Sequence, residues 1–187
     1  MAEKRINKPG FDAYSQQIKK IVEKLPIFEK VKGTKVISAK KIIVDDKKNA
    51  TVIFVPLRMM RYYRVNFENT IATLEKAIGN NVFVIGKRVV AHTKKVGQTG
   101  KTEYKPRSRT SKAVHDAYMH EMLYPVEIAG QRTHVTIANK KVNNAKTVFV
   151  DADDKMKASL KGKLSVFSAV FKGITGEKVK FAFPVVA

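Results

Sequence analysis

Gly100-Lys101-Thr102 has the ending of a phosphate-binding loop, and Val148-Phe149-Val150-Asp151 has the form of a strand ending in a magnesium-holding aspartate. Together they would bind and hydrolyse a nucleoside triphosphate. The loop also needs a glycine five residues before Gly100, where Lys95 stands, and a helix opening at Lys101, which Pro106 interrupts within its second turn. A glycine turn inside a basic loop is the simpler reading. His115-Asp116 has the form of a phosphohydrolase metal pair, with His120 five residues on. Ligands on one helix face need spacings of three or four, so His115 and His120 diverge, and His115 and Asp116 are expected to be structural. Ser108 and Ser111 have neither an oxyanion loop nor a separate acid to make a triad.

Phosphate recognition asks only for residues that are abundant here. From Lys87 to Lys112 the chain has nine Lys or Arg against one acid, Glu103, which places +8 of the net +21 in 26 of 187 residues. The flanks are milder, with 17 basic and 8 acidic residues before this segment and 11 and 7 after it. Charge at that density attracts a polyanion, and a nucleic-acid backbone releases condensed counterions when it is bound. The expected contacts are Lys87, Arg88, Lys94, Lys95, Lys101, Lys105, Arg107, Ser108, Arg109, Thr110 and Lys112. Arg107 and Arg109 present guanidinium forks just before a helix, while Ser108, Thr110 and Ser111 have hydroxyls to cap that helix or touch the backbone.

RNA is favoured over DNA. No helix-turn-helix recognition face or leucine zipper stands out, and neither does an RRM signature or a KH loop. The absence of cysteine removes disulfides, thiol nucleophiles, iron–sulfur clusters and Cys-containing zinc sites. No cofactor, metal or small-molecule substrate is implied. Apolar runs such as Val52 to Leu57 are far too short to span a membrane, so cytosol or nucleus is the expected location.

The elements that must position this segment follow from periodicity. Phe11 to Leu25 has helical spacing and Pro26 ends it; Val36–Val44 and Ala50–Leu57 are β-branched strands around a turn at 45–49. A single helix is expected from Met60 through Ile78, closed by Gly79, then a strand at Val82–Ala91 joined by a crossover. Ser111–Leu123 reads as a helix stopped by Pro125. Strands follow at Arg132–Ile137 and Lys146–Val150, then a helix over 164–174 with Gly176 past its end, and a strand at Val179–Phe183. The expected fold class is α+β: a single domain, residues 1–187, with a mixed sheet packed by helices and a long basic loop at 92–110, without an internal repeat.

Read as a string, Lys105-Pro106-Arg107-Ser108-Arg109-Thr110 followed by Ala113-Val114-His115-Asp116-Ala117 resembles the signature of the eukaryotic small-subunit ribosomal protein family eS-seven. Val52–Pro56, the Tyr124–Arg132 stretch and the Phe167–Pro184 segment match in the same order, so the resemblance spans nearly the whole chain. It implies a non-enzymatic component of the 40S subunit that binds 18S rRNA on the platform and body side, beside neighbouring small-subunit proteins, and supports subunit assembly. A cytoplasmic ribosome with a nucleolar assembly stage is the implied location. Pro106 to Thr110 inherit the expectation of rRNA contact. The glycine-rich stretch Val96–Lys101 departs from the family's denser Lys and Arg. Two rival readings are a nucleolar assembly factor or other non-ribosomal RNA-binding protein, and a nucleotide-dependent nucleic-acid enzyme.

Overall fold

Ala50 to Val55 holds one polar residue, Thr51, and a strand of that composition requires cover on both faces. The computed structural model of the chain, which describes residues 13–23, 25, 33, 35–45, 48–91, 95–96, 101–102, 106–138 and 141–184, meets that requirement. Strand β2 (Lys48–Val55) lies between β1 (Ser38–Asp45), antiparallel to it, and β3 (Asn81–Gly86), parallel to it. Ile53, Val55, Val82 and Val84 face a core completed by Ile18 and Val22 of α1 (Ala13–Glu23), Tyr63 of α2 (Met60–Val65) and Leu74 of α3 (Phe67–Ile78). Ala50, Val52, Phe54, Phe83 and Ile85 face the opposite way, into a second core.

That second core is shared with the C-terminal half. Strand β7 (Lys141–Asp151) pairs antiparallel with β6 (Glu127–Ala138) and parallel with β8 (Val179–Ala182). Val148, Val150, Val179 and Phe181 meet α4 (Ser111–Leu123) and α6 (Leu164–Thr175) against the first sheet. Lys180 between them is exposed, the alternation of a sheet covered on one face.

The expectation of one mixed sheet without a repeat is replaced by two mixed sheets built in the same order. Helix, hairpin, two helices and a parallel strand occur as α1-β1-β2-α2-α3-β3, and again as α4-β6-β7-α5-α6-β8, with α5 at Asp154–Lys161. Each crossover ends on a left-handed glycine. Gly79 (φ 77°) donates its N–H to the Glu75 carbonyl and Gly176 (φ 81°) to that of Lys172, each at 2.8 Å. The repeat leaves no mark in the sequence because one sheet is buried on two faces and the other on one, so their hydrophobic patterns differ.

Four expected elements change. The helix expected from Met60 to Ile78 breaks at Asn66 (φ −129°, ψ 53°), which turns Phe67 out of the Tyr63–Leu74 stripe to meet the Tyr124 ring edge-on at 4.8 Å. The strand expected to reach Ala91 ends at Gly86, and the hairpin strands expected at 132–137 and 146–150 are much longer. Helix α5 was not expected, since it buries no residue fully and only Met156 and Leu160 lean on the core. The first helix begins at Ala13; residues 11 and 12, placed in it by periodicity, lie outside the described residues.

Phe171 is fully buried where both halves meet, so Phe171→Ala is expected to lower unfolding stability by about 3–5 kcal/mol. Ile43→Thr, at an exposed position on β1, should stay within about 0.5 kcal/mol. Denaturant midpoints of the two variants test the assignment of this shared core.

Candidate nucleic-acid interface

The basic segment leaves the first sheet at Gly86, and a buried carboxylate sets its course. Glu121, 6% exposed on α4, accepts the Gly86 N–H on Oε2 at 2.8 Å and a hydrogen bond from Arg88 Nη2 on Oε1 at 2.7 Å. Arg88 Nη1 also donates to the Gly86 carbonyl at 3.3 Å. The hydrogen bond to Glu121 holds the guanidinium in its charged form, raising its pKa against the opposing effect of burial. A Cβ at Gly86 would lie 2.7 Å from Leu57 Cδ2 and 3.3 Å from each Glu121 oxygen, so a larger residue would displace the Leu57 side chain and crowd the carboxylate.

Beyond Gly86 the chain runs back along α4 toward its N-terminus. The Tyr118 hydroxyl donates to the Arg88 carbonyl at 3.0 Å and accepts the Arg88 N–H at 3.3 Å. The Ala91 N–H then reaches the Arg109 carbonyl at 3.0 Å. That bond closes a neck between Ala91 and Arg109.

On the returning side, Arg107–Arg109 forms one 3-10 turn, with the Arg109 N–H on the Pro106 carbonyl at 3.0 Å. Thr110 is the N-cap of α4 (φ −72°, ψ 151°): its hydroxyl accepts the Ala113 N–H at 3.4 Å and donates to the Arg107 carbonyl at 2.8 Å. The capping expected from the Ser and Thr residues is therefore the work of Thr110. Arg107, Ser108, Arg109 and Lys112 are all exposed at this end of the helix.

The expected contacts thus divide. Lys87 is exposed, with Nζ 4.9 Å from the centre of the Phe54 ring, and Arg88 is committed to Glu121. Lys95 and Lys101 lie on the short antiparallel strands β4 (Lys95–Val96) and β5 (Lys101–Thr102). Lys94 and Lys105 lie outside the described residues, as does the glycine stretch 97–100. A nucleotide-binding loop would need a helix at Lys101, where a strand stands. His115 Nδ1 lies 2.9 Å from Glu177 Oε1 and Asp116 Oδ1 lies 3.5 Å from Lys146 Nζ, so both residues tie α4 to the second sheet's end of the core. The Asp116 contact is an ion pair without hydrogen-bond geometry, since that buried oxygen has no hydrogen-bond partner. Among the described residues no group of three His, Asp or Glu could hold a metal ion, and no helix is long and apolar enough to cross a membrane.

Sequence reasoning missed Glu121. Its one signal is an acid among Met119, Met122 and Leu123, on a helix whose apolar stripe runs through Val114, Tyr118 and Met122.

This is a turn of exposed cations on a braced helix, the arrangement of a binding scaffold. Comparison with known proteins gives the class: the profile of the family described as Ribosomal protein S7e matches residues 13–183. The small ribosomal subunit protein eS7 of Avicennia marina is 34% identical over 148 residues, covering 79% of this chain and 74% of its own length. Its counterpart in Hordeum vulgare is 34% identical over 144 residues (76% and 70%), and that of Caenorhabditis elegans 31% over 140 residues (73% and 70%). The chain belongs to the ribosomal protein S7e family, whose members are not enzymes.

Removing one member of a buried ion pair leaves the other charge without its partner. Glu121→Ala is expected to lower stability by about 3 kcal/mol, and Glu121→Gln, which keeps one acceptor, by roughly half as much. A Glu121→Ala midpoint close to that of the unmodified chain would show that this contact does not brace the segment.

Proposed function

We propose that the chain is a structural component of the small ribosomal subunit that binds 18S rRNA as one unit over residues 1–187, through the exposed cations at the N-terminus of α4. The carrying observation is the convergence of Arg107, Ser108, Arg109 and Lys112 on the turn capped by Thr110 and necked by the Ala91–Arg109 hydrogen bond. Two guanidinium forks on a short, backbone-bonded turn lose little freedom when they meet phosphates. Lys87, Lys94, Lys95, Lys101 and Lys105 add charge around them. Arg88 acts on the same RNA through Glu121, by holding the segment's exit from the sheet. Family membership and the relatives' small-subunit names support this reading, and so does the core that joins the two halves.

The role is scaffolding: phosphates are neutralised where RNA segments converge, while the two sheets and their helices supply a rigid mount. Neighbouring small-subunit proteins are partners in the same assembly, which begins in the nucleolus and ends on the cytoplasmic ribosome. Sedimentation separates this from the assembly-factor reading. Co-migration with 40S subunits through a high-salt gradient is the expected result, and restriction to nucleolar precursors would favour the rival.

Replacing both Arg107 and Arg109 with Ala should weaken rRNA binding broadly and reduce the slope of log K against log salt by about 1 per lost phosphate contact. An unchanged slope in a filter-binding titration would remove these arginines from the interface.

A further inference from the structure

The β6–β7 hairpin outruns its own sheet. Strand β8 accompanies β7 only from Lys146 to Phe149, whereas β6 and β7 remain paired out to Ala138 and Lys141. Gln131 to Ile137 are exposed on both faces of this two-stranded ribbon, Val135 at 53% and Ile137 at 74%. Residues 131–146 carry Arg132, Lys140, Lys141 and Lys146 with no acid. The rest of the chain beyond residue 112 holds seven basic and seven acidic residues, so the entire positive excess of that region lies in the hairpin.

Its direction follows from two contacts and one chain connection. Glu127 begins β6 just after α4 ends and pairs with Asp151, while Lys146 lies beside Asp116, seven residues back along α4 from Leu123. The hairpin therefore doubles back along α4 toward its N-terminus. From Lys146 to Lys141 the ribbon continues for roughly 17 Å, whereas from Asp116 to Ser111 only about 7.5 Å of helix remains. A straight ribbon of that length projects past the end of α4 at which the Arg107–Arg109 turn sits.

We propose that the β6–β7 ribbon is a second RNA-binding arm, which together with the Arg107–Arg109 turn grips one RNA segment between two basic elements. This inference rests on the reading of that turn as an rRNA contact. An acid-free ribbon with a net charge of +4 is complementary to a phosphate backbone. Arg132, exposed on β6, is its phosphate-directed charge among the described side chains; Lys140 and Lys141 add positive charge by sequence, and Lys146 is held by Asp116. Strand β6 is also the sheet's edge, and its outward N–H groups are donors for phosphate oxygens. Val135 and Ile137 pack on ribose and base surfaces, which covers apolar side chains that water would otherwise surround.

The chain has no cysteine, so Ser111→Cys and Thr136→Cys can each carry a single tethered iron chelate on the full chain bound to small-subunit rRNA. Both positions are exposed. The expected result is hydroxyl-radical cleavage from both probes within the same rRNA segment, with a salt slope lowered by about 1–2 in the Arg132→Ala, Lys141→Ala variant. Cleavage from position 111 alone, or cuts from 136 in a remote segment, would overturn the grip and leave the first interface standing. Cross-linking of position 136 to a protein neighbour in assembled subunits, without RNA cleavage, would assign the ribbon to a protein partner instead. Silence from both probes would defeat the arm and the first interface together.

Discussion

A carboxylate buried between a helix and a strand end must be paired, and the pairing of Glu121 sets the geometry of everything basic in this chain. Its two oxygens take the Gly86 amide and the Arg88 guanidinium, which fixes α4 against the end of β3 and selects the path by which the charged segment leaves the sheet. The Tyr118 hydroxyl and the Ala91–Arg109 hydrogen bond continue the same path. A fold that lost the Glu121 contact would keep its charge and lose the address of that charge.

Helix α4 is thus the spine of the molecule. Its C-terminal half is buried among Met119, Met122 and Leu123, in the core that both sheets share. Its N-terminal end stands clear, capped by Thr110 and surrounded by cations. His115 and Asp116 lie between these two regimes, tying the helix to Glu177 and Lys146. The division suits a protein that works by presentation, since a rigid interior fixes the backbone from which a small number of exposed arginines act.

The duplicated order of elements has a functional side. Both halves contain a hairpin followed by a helical crossover to a parallel strand, but only the second hairpin is drawn out beyond its third strand. The first hairpin supplies β2, the strand buried on both faces; the second supplies a ribbon that has no core to serve beyond Lys146. Both copies build the body, and the second also extends from it.

Much of this was legible in the residues themselves. The Ser111–Leu123 helix, the glycine stops at 79 and 176, the strand-helix-strand crossover, the dense charge at 87–112 and the family string at 105–117 all rest on local spacing, which a linear reading captures. The break at Asn66 escaped it because Tyr63 and Phe67 keep helical spacing while facing different partners, and α5 escaped it because that helix buries so little. The sequence by itself determined where the charge lies and where the strongly periodic helices and strands fall. Only the tertiary structure decided that Arg88 is an internal brace, that Glu121 is its partner 33 residues away, and that Lys146 of the second hairpin lies beside Asp116 of α4. Periodicity and charge density are properties of neighbouring residues, whereas the pairing of a buried charge and the meeting of distant surfaces arise when the chain closes on itself.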